Sequence, residues 1–327
     1  MPHSKTKVVV ISPPDHRAMC YLAPLEEVAE ISVSVELAEL AKLLPAAEVV
    51  VFGLTYNSLD LAAAWKYAES VRWAHALSAG VEGLLFPALV RSSVPLTNAR
   101  GVFKRSLAEF AVLGMLFHFK RVRQLIENQR AHQWHDYNVT LIEDRVMGVV
   151  GYGEIGRECA MLGHALGMRI HALRRNPQRS AGDIILERIF NPNELHLMLS
   201  GIDVLVCAAP LTSDTRHLIA DPEFEAMKPS AVVINVGRGP VIDESALIRA
   251  LVNGRIAGAS LDVFEQEPLP HDSPLWGMDN VLISPHCADQ TMDPDWVQLT
   301  MRFFVENFHR YRSGQALENL VDKGAGY

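Results

Sequence analysis

Val149-Val150-Gly151-Tyr152-Gly153-Glu154-Ile155-Gly156 decides how this chain is read. The apolar run before it is strand-like and the stretch after it is helical as far as Gly167. The glycines therefore stand where a strand turns into a helix, the context in which G-x-G-x-x-G binds a dinucleotide pyrophosphate. Gly151 allows the tight turn, Gly153 lets backbone approach the phosphates, and Gly156 lets the helix pack closely on the strand. Glu154 and Ile155, at the helix start, add backbone N–H groups and a partial positive charge. The alternative is a glycine-rich turn that holds no ligand, and the flanking pattern disfavours it.

The following strand, 168–173, bears on which dinucleotide is bound. An NAD-binding unit carries Asp or Glu about 20 residues after the glycines, on the ribose 2′-hydroxyl. Here the strand ends in Arg174-Arg175-Asn176, and the first acid is Asp183. Two guanidiniums suit a 2′-phosphate by charge and by bidentate geometry. NADP(H) is favoured, with NAD(H) the second choice; a solvated surface pair is the bland reading of the two arginines.

Outward from the fingerprint, β-branched runs alternate with helical stretches. Candidate strands are 7–12, 48–53 and 73–77, then 146–151, 168–173, 204–208, 232–236, 258–263 and 281–284. Runs such as Ala231-Val232-Val233-Ile234-Asn235-Val236 are apolar on both faces, as parallel strands covered by helices must be. The pattern predicts a doubly wound α/β fold. Two long helices interrupt it. The capping-box spacing Ser106-Leu107-Ala108-Glu109 predicts one helix to about Gln133, with Phe110, Leu113, Leu116 and Phe117 on one face. Asp293-Pro294 predicts the start of another, ending near Gly314, with Trp296, Leu299, Phe303 and Phe304 inward. The crossings are placed at these helices: residues 104–289 form a nucleotide domain of six strands, inserted into a domain built from 1–103 and 290–327.

Composition agrees with two globular domains. The chain has 327 residues, 49% hydrophobic and 21% charged, with 30 Lys and Arg against 38 Asp and Glu, a formal net charge of −8. An acidic chain without a basic block argues against nucleic acid or an anionic membrane as partner. No apolar run reaches the roughly 18 residues of a membrane span, and 8–11 are too few for a signal peptide. The four cysteines are scattered, so reduced thiols in a cytoplasmic protein are expected, and no metal.

Three reactive side chains follow strand-like runs: Arg238, Glu267 and His286. Ligands of open α/β sheets bind at the carboxyl ends of strands, so these converge on the nucleotide crevice. Singly, each is more often structural. In this order after the fingerprint, the chain resembles the D-isomer-specific 2-hydroxyacid dehydrogenases over nearly its whole length. The resemblance rests on Ser78-Ala79-Gly80-Val81-Glu82, Asn98 to Glu109, the glycine turn, Ala209-Pro210-Leu211-Thr212 with Thr215, Asn235-Val236-Gly237-Arg238-Gly239-Pro240, Asp262-Val263-Phe264-Glu265-Gln266-Glu267-Pro268 and Ser284-Pro285-His286. It implies a Rossmann domain inserted into a smaller flavodoxin-like substrate domain, with the active cleft between them, and a homodimer using the region around Trp134.

The resemblance also implies roles. His286 becomes the proton donor to a 2-keto acid, Glu267 the carboxylate that raises its pKa, and Arg238 the grip on the substrate carboxylate. Ser78, Ala79 and Gly80 become a backbone cradle for that carboxylate. Pro210, Thr215 and Asp262 join the cofactor contacts, Asp262 receiving the nicotinamide carboxamide. Leu54-Thr55-Tyr56-Asn57 lacks the arginines of the phosphoglycerate-oxidising branch, and the chain stops about 40 residues after His286, leaving no room for that branch's regulatory domain. The formate-oxidising branch has glutamine at the place of Glu267. A small unphosphorylated keto acid of the glyoxylate or hydroxypyruvate type is therefore expected. The competing readings are an NAD-linked dehydrogenase of a larger D-2-hydroxy acid and a dinucleotide-sensing corepressor. Cys287 and Asp289 depart from the small residues usual after this histidine, and Lys104 reads as a solvated cation.

Overall fold

A computed structural model describes residues 4–53 and 61–327. The backbone divides into two compact units, Met1–Val102 with Thr291–Tyr327, and Phe103–Gln290. Among the described residues, no helix is long and apolar enough to cross a membrane. The Leu54-Thr55-Tyr56-Asn57 stretch lies outside the described residues.

The first unit holds strands β1 (Thr6–Ile11), β2 (Ala29–Ser34), β3 (Val49–Phe52), β4 (Trp73–Ala76) and β5 (Leu96–Asn98), with helices α1 (Leu37–Leu43), α2 (Leu61–Trp65) and α3 (Pro87–Arg91). The strands form one parallel sheet in the order β2-β1-β3-β4-β5. Alternate side chains go to opposite faces. Val9, Ile11, Val50, Phe52 and Ala74 pack with Leu40, Leu61 and Leu89 of the three short helices. Val8, Val10, Val49, Val51 and Trp73 face Val297, Met301, Phe304 and Phe308 of a helix near the C-terminus, Trp296–Arg312. That helix begins later than expected. Asp295, not Asp293, caps it by accepting from the Val297 amide at 3.1 Å, and the Asp293–Pro294 bond is cis. Its buried stripe is accordingly shifted: Trp296, Leu299 and Phe303 lie at the margin. Gly314, at φ +66°, follows its end.

The second unit holds α4 (Lys104–Phe119), α5 (Val122–Arg130), β6 (Val146–Val150), α6 (Glu154–Ala165), β7 (Arg169–Leu173), β8 (Leu186–Phe190), α7 (Leu195–Leu199), β9 (Val204–Cys207), α8 (Asp221–Ala226), β10 (Val232–Asn235), α9 (Glu244–Val252), β11 (Gly258–Leu261) and β12 (Val281–Ile283); the helix Trp296–Arg312 of the first unit is α10. Its sheet is parallel and seven-stranded, β12-β11-β10-β9-β6-β7-β8, where six strands were expected. The added strand is β8, whose Leu-Glu-Arg-Ile-Phe sequence is exposed over its middle and so lacks the apolar run of an inner strand. β2 and β5 were missed for related reasons: β2 is a half-exposed edge strand and β5 has only three residues. The chain runs outward from β6 through β7 to β8, then returns to pair β9 against the other side of β6. That reversal opens a crevice at the carboxyl ends of β6 and β9.

The expected single helix from Ser106 to about Gln133 is two. Arg121 takes a left-handed conformation, φ 53°, and separates α4 from α5. Ser106 is not the cap, because α4 starts two residues earlier; its hydroxyl donates instead to the Ala288 carbonyl. Glu109 pairs with Arg105 at 2.7 Å rather than reaching back. Leu113 is exposed, and the buried positions are Leu107, Ala108, Ala111, Gly114, Met115, Phe117 and Phe119.

Candidate active site and dinucleotide turn

β6 delivers the chain into the glycine turn at its buried carboxyl end. Gly151 sits at φ +89°, and a Cβ there would lie 2.5 Å from Ala209 backbone, so only glycine fits. A Cβ on Gly156 would meet the Gly151 carbonyl at 2.2 Å, which holds α6 tight against β6. Gly153 faces open space, and no side chain caps α6 there. The first amides of the helix are thus presented as an anion cradle. Glu154 turns its side chain to Lys104 at 3.5 Å, both partly exposed, so its share in such a cradle is its backbone.

Beside this turn lies a cavity of about 420 Å³ lined by Tyr152, Arg157, Arg174, Arg179, Ser180, Ala181, Gly182, Asp183 and Ile184. Arg174 donates to the Ser180 hydroxyl at 2.5 Å. Arg175 is not among the lining residues; it faces Asp214 at 3.8 Å. The two arginines, equal in the sequence, are separated by the structure. Arg157 and Arg179 take part where sequence reasoning did not place them. Asp183 is tied to Arg157 Nε at 2.8 Å and to the Tyr152 hydroxyl at 3.1 Å. Its partial burial opposes ionisation, but those hydrogen bonds outweigh it and hold the carboxyl below its ordinary value. Three guanidiniums against one carboxylate leave the cavity cationic.

On the next strand the chain makes a closed turn after β9. Thr215 Oγ1 donates to the Pro210 carbonyl at 2.6 Å and accepts from the Thr212 amide at 2.8 Å. In the first unit, the turn after β4 is similarly self-bonded. Ser78 Oγ donates to the Gly80 carbonyl, and Asn98 Nδ2 to the Ala79 carbonyl, each at 2.6 Å.

The three reactive residues follow β10, β11 and β12. Beyond β10, Asn235 accepts from the Gly237 amide and donates to the Arg238 carbonyl, both at 3.1 Å, which shapes the turn that carries Arg238. Glu267 accepts from the Phe264 amide at 2.9 Å through Oε1 and meets His286 Nδ1 at 2.6 Å through Oε2. His286 itself is held at φ 51°, a conformation non-glycine residues rarely adopt. The hydrogen bond from Glu267 raises the histidine pKa above its ordinary value against the effect of burial; Asp262 adds to the rise and Arg238 opposes it. Burial pushes the Glu267 carboxyl up, but its bonds to His286 and to the Phe264 amide bring it below its ordinary value. With Nδ1 engaged, Nε2 is the nitrogen left to exchange a proton with a ligand.

Asp262 is 1% exposed. Its Oδ1 accepts from Ser284 Oγ and from the amides of Cys287 and Ala288, while its buried Oδ2 has no partner. An orphaned buried carboxylate oxygen costs about 1–3 kcal/mol, a cost that an amide donor of a ligand would remove. The same bonds pin the backbone just after His286. Asp289, three residues on, is half-buried, and that burial raises its pKa. Burial pushes the Cys159 thiol on α6 and the Cys207 thiol on β9 up to about 12, which leaves both inert.

Residues 112–288 match the family model described as D-isomer specific 2-hydroxyacid dehydrogenase, NAD binding domain. The chain belongs to that family. In this dehydrogenase the matched segment contains the glycine turn, the arginine-lined cavity and Arg238, Glu267 and His286. Glyoxylate/hydroxypyruvate reductase B of Pectobacterium carotovorum is 34% identical over 264 residues, covering 79% of this chain and 81% of that relative. The same-named protein of Salmonella typhi is also 34% identical, over 267 residues, 78% of this chain and 79% of the relative. Among solved structures, the NADPH-dependent glyoxylate/hydroxypyruvate reductase of Sinorhizobium meliloti, in complex with NADP and sulfate, superposes with a TM-score of 0.84 at 27% identity, over 99% of this chain and all of that one. A family member from Xanthobacter autotrophicus, in complex with NADPH and MES, gives 0.81 at 27% identity, over 99% of this chain and 100% of that one.

Proposed function

We propose that this dehydrogenase reduces a small, unphosphorylated 2-keto acid of the glyoxylate or hydroxypyruvate type to the D-2-hydroxy acid, with NADPH preferred to NADH. The observation that carries the reading is the Glu267–His286 pair at 2.6 Å, with Arg238 close enough to act on both charges. The reductases of Pectobacterium and Sinorhizobium support the substrate class, and the Sinorhizobium structure, solved with NADP, supports the cofactor.

A bound nicotinamide cofactor supplies the hydride to the keto carbon. The chain's own groups do the rest. Arg238 holds the substrate carboxylate and draws electron density toward the carbonyl oxygen. His286 gives its Nε2 proton to that oxygen as negative charge develops there, and Glu267 steadies the imidazolium beforehand. Asp262 Oδ2 would accept from the carboxamide of a bound nicotinamide. The amides around Gly153, Glu154 and Ile155 would hold its pyrophosphate, and Arg174 would take a 2′-phosphate with help from the cationic cavity around it. Pro210 and Thr215 line the cofactor on the β9 side. Ser78, Ala79 and Gly80 serve as the carboxylate cradle, so the first unit acts as substrate domain and the second as dinucleotide domain.

The enzyme acts as a cytoplasmic homodimer in this reading. Support for the dimer comes from apolar side chains between α5 and β6: Trp134 is fully exposed, with Val139 and Leu141 exposed beside it in sequence. Chiral analysis of the product tests the reaction. D-glycerate from hydroxypyruvate is expected, and L-glycerate, or no product, contradicts it.

A further inference from the structure

Two histidine–glutamate pairs share one short segment. Glu267 holds His286 at 2.6 Å, and Glu265, two residues earlier, holds His217 Nε2 at 2.6 Å. The second pair lies outside the reaction just described, yet its histidine is also kept in the left-handed region, at φ 52°. A non-glycine residue persists there only where its surroundings over-determine it, and such residues gather at functional sites.

The surroundings of His217 join three loops. His217 ends the turn closed by Thr215, and its amide donates to the Pro240 carbonyl at 2.8 Å, on the turn that carries Arg238. That turn lies directly on the Glu267 segment: a Cβ on Gly239 would fall 1.8 Å from the Phe264 carbonyl, so the two backbones touch. The Glu265 amide donates to Glu244 Oε2 at 3.2 Å, and the Glu244 amide returns a bond to Glu265 Oε1 at 3.4 Å, which ties the segment to the start of α9. One residue before Glu265, the Phe264 amide donates to Glu267 Oε1. The chain of contacts runs from the Pro210–Thr215 turn through His217 and Glu265 to the carboxylate that faces His286.

We propose that His217 is a positioning residue, which through Glu265 fixes the turn from which Glu267 reaches His286. It touches neither the acid pair nor a reacting atom; its effect is on where the Glu267 carboxylate points. The proposal rests on His286 being the proton donor.

The test reads that carboxylate through His286. Besides Glu267, the charged groups acting on His286 are Asp262, Arg238 and Asp289. His217→Ala and Glu265→Ala are compared with Glu265→Gln, whose carboxamide oxygen still accepts from His217. His196→Ala is the control, since its 2.8 Å pair with Glu223 joins α7 to α8 and includes neither Glu265 nor Glu267. NMR titration of the His286 imidazole ring C–H signals in the unliganded chain gives its midpoint without requiring turnover. Both alanine variants are expected to lower that midpoint by about half a unit to one unit, as a misaimed Glu267 stops favouring the imidazolium. Glu265→Gln is expected to restore most of the shift, and His196→Ala to leave it alone. A midpoint unmoved in both alanine variants, or a Glu265→Gln chain as perturbed as Glu265→Ala, overturns the proposal. Glyoxylate reduction is followed in parallel with NADPH: a wild type that titrates as expected but never turns over overturns the reaction assigned above and leaves the positioning result standing.

Discussion

Replacing Glu267 with glutamine removes one charge and little volume, so it isolates what the carboxylate does for His286. In the wild type the bond is 2.6 Å long, and it raises the histidine above its ordinary 6.5. The two side chains are 43% and 35% exposed, so solvent screens the pair and a full buried-pair energy does not apply. A charge-assisted hydrogen bond exceeds a neutral one by roughly 1–1.5 kcal/mol, which is about one pKa unit. Because the reduction needs His286 protonated, kcat/KM falls as pH rises through its pKa. Glu267→Gln therefore moves that alkaline limb down by about one unit. Rates well below the limb change little, while rates above it drop about tenfold. Stability carries the same signature. The raised histidine contributes stability that is present below its unfolded pKa and lost as pH rises through its folded one; the depressed carboxylate contributes stability lost as pH falls through its own folded pKa. The pair thus stabilises most between the ordinary carboxylate value of 4.5 and the ordinary histidine value of 6.5, and the variant loses that plateau. Steady-state kinetics from pH 5 to 10 with saturating NADPH are the assay. A profile lowered by the same factor at every pH, with the limb unmoved, would show that the Glu267 charge does not set the His286 pKa.

Further substitutions separate the remaining roles. His286→Ala is expected to lower kcat about a hundredfold or more with NADPH affinity nearly intact, and near-wild-type turnover would remove the histidine from the reaction. Arg174→Ala, which empties one side of the cationic cavity, should weaken NADPH binding about tenfold and NADH binding little. Arg175→Ala should do less, because that side chain faces Asp214 rather than the cavity; equal losses in a calorimetric titration would contradict the assignment. Asp262→Asn keeps the oxygen that accepts from Ser284 and the two amides but turns the orphaned Oδ2 into a donor. Cofactor affinity should fall about tenfold while the thermal midpoint holds or rises; a falling midpoint with unchanged affinity would make Asp262 structural.

What could be read from the residues follows from where each signal is stored. The inner strands of the second unit are apolar on both faces, so Val146–Val150 and Val232–Asn235 are legible as local runs. β8 is not, because an edge strand needs no apolar outer face. Ser106 had the spacing of a cap, but a tertiary partner, the Ala288 carbonyl, takes its hydroxyl. The glycine turn is legible because its three glycines stand together where an apolar run gives way to a helical stretch, and at Gly151 and Gly156 no Cβ fits. Arg157 and Arg179 were not, since one comes from the first turn of α6 and the other from a short helical turn after β7, and only the fold brings them to one cavity. The pairing of His217 with Glu265 spans 48 positions and is equally invisible in one dimension.

The Glu267–His286 pair is proposed to donate the proton in hydride reduction of a small keto acid. Oxidation of NADPH by the purified chain, followed by absorbance with glyoxylate and with hydroxypyruvate, tests that assignment most directly. Saturable turnover on the order of 1 per second or faster is expected, with kcat/KM higher for NADPH than for NADH. No oxidation above the enzyme-free rate with either keto acid and either cofactor would contradict it.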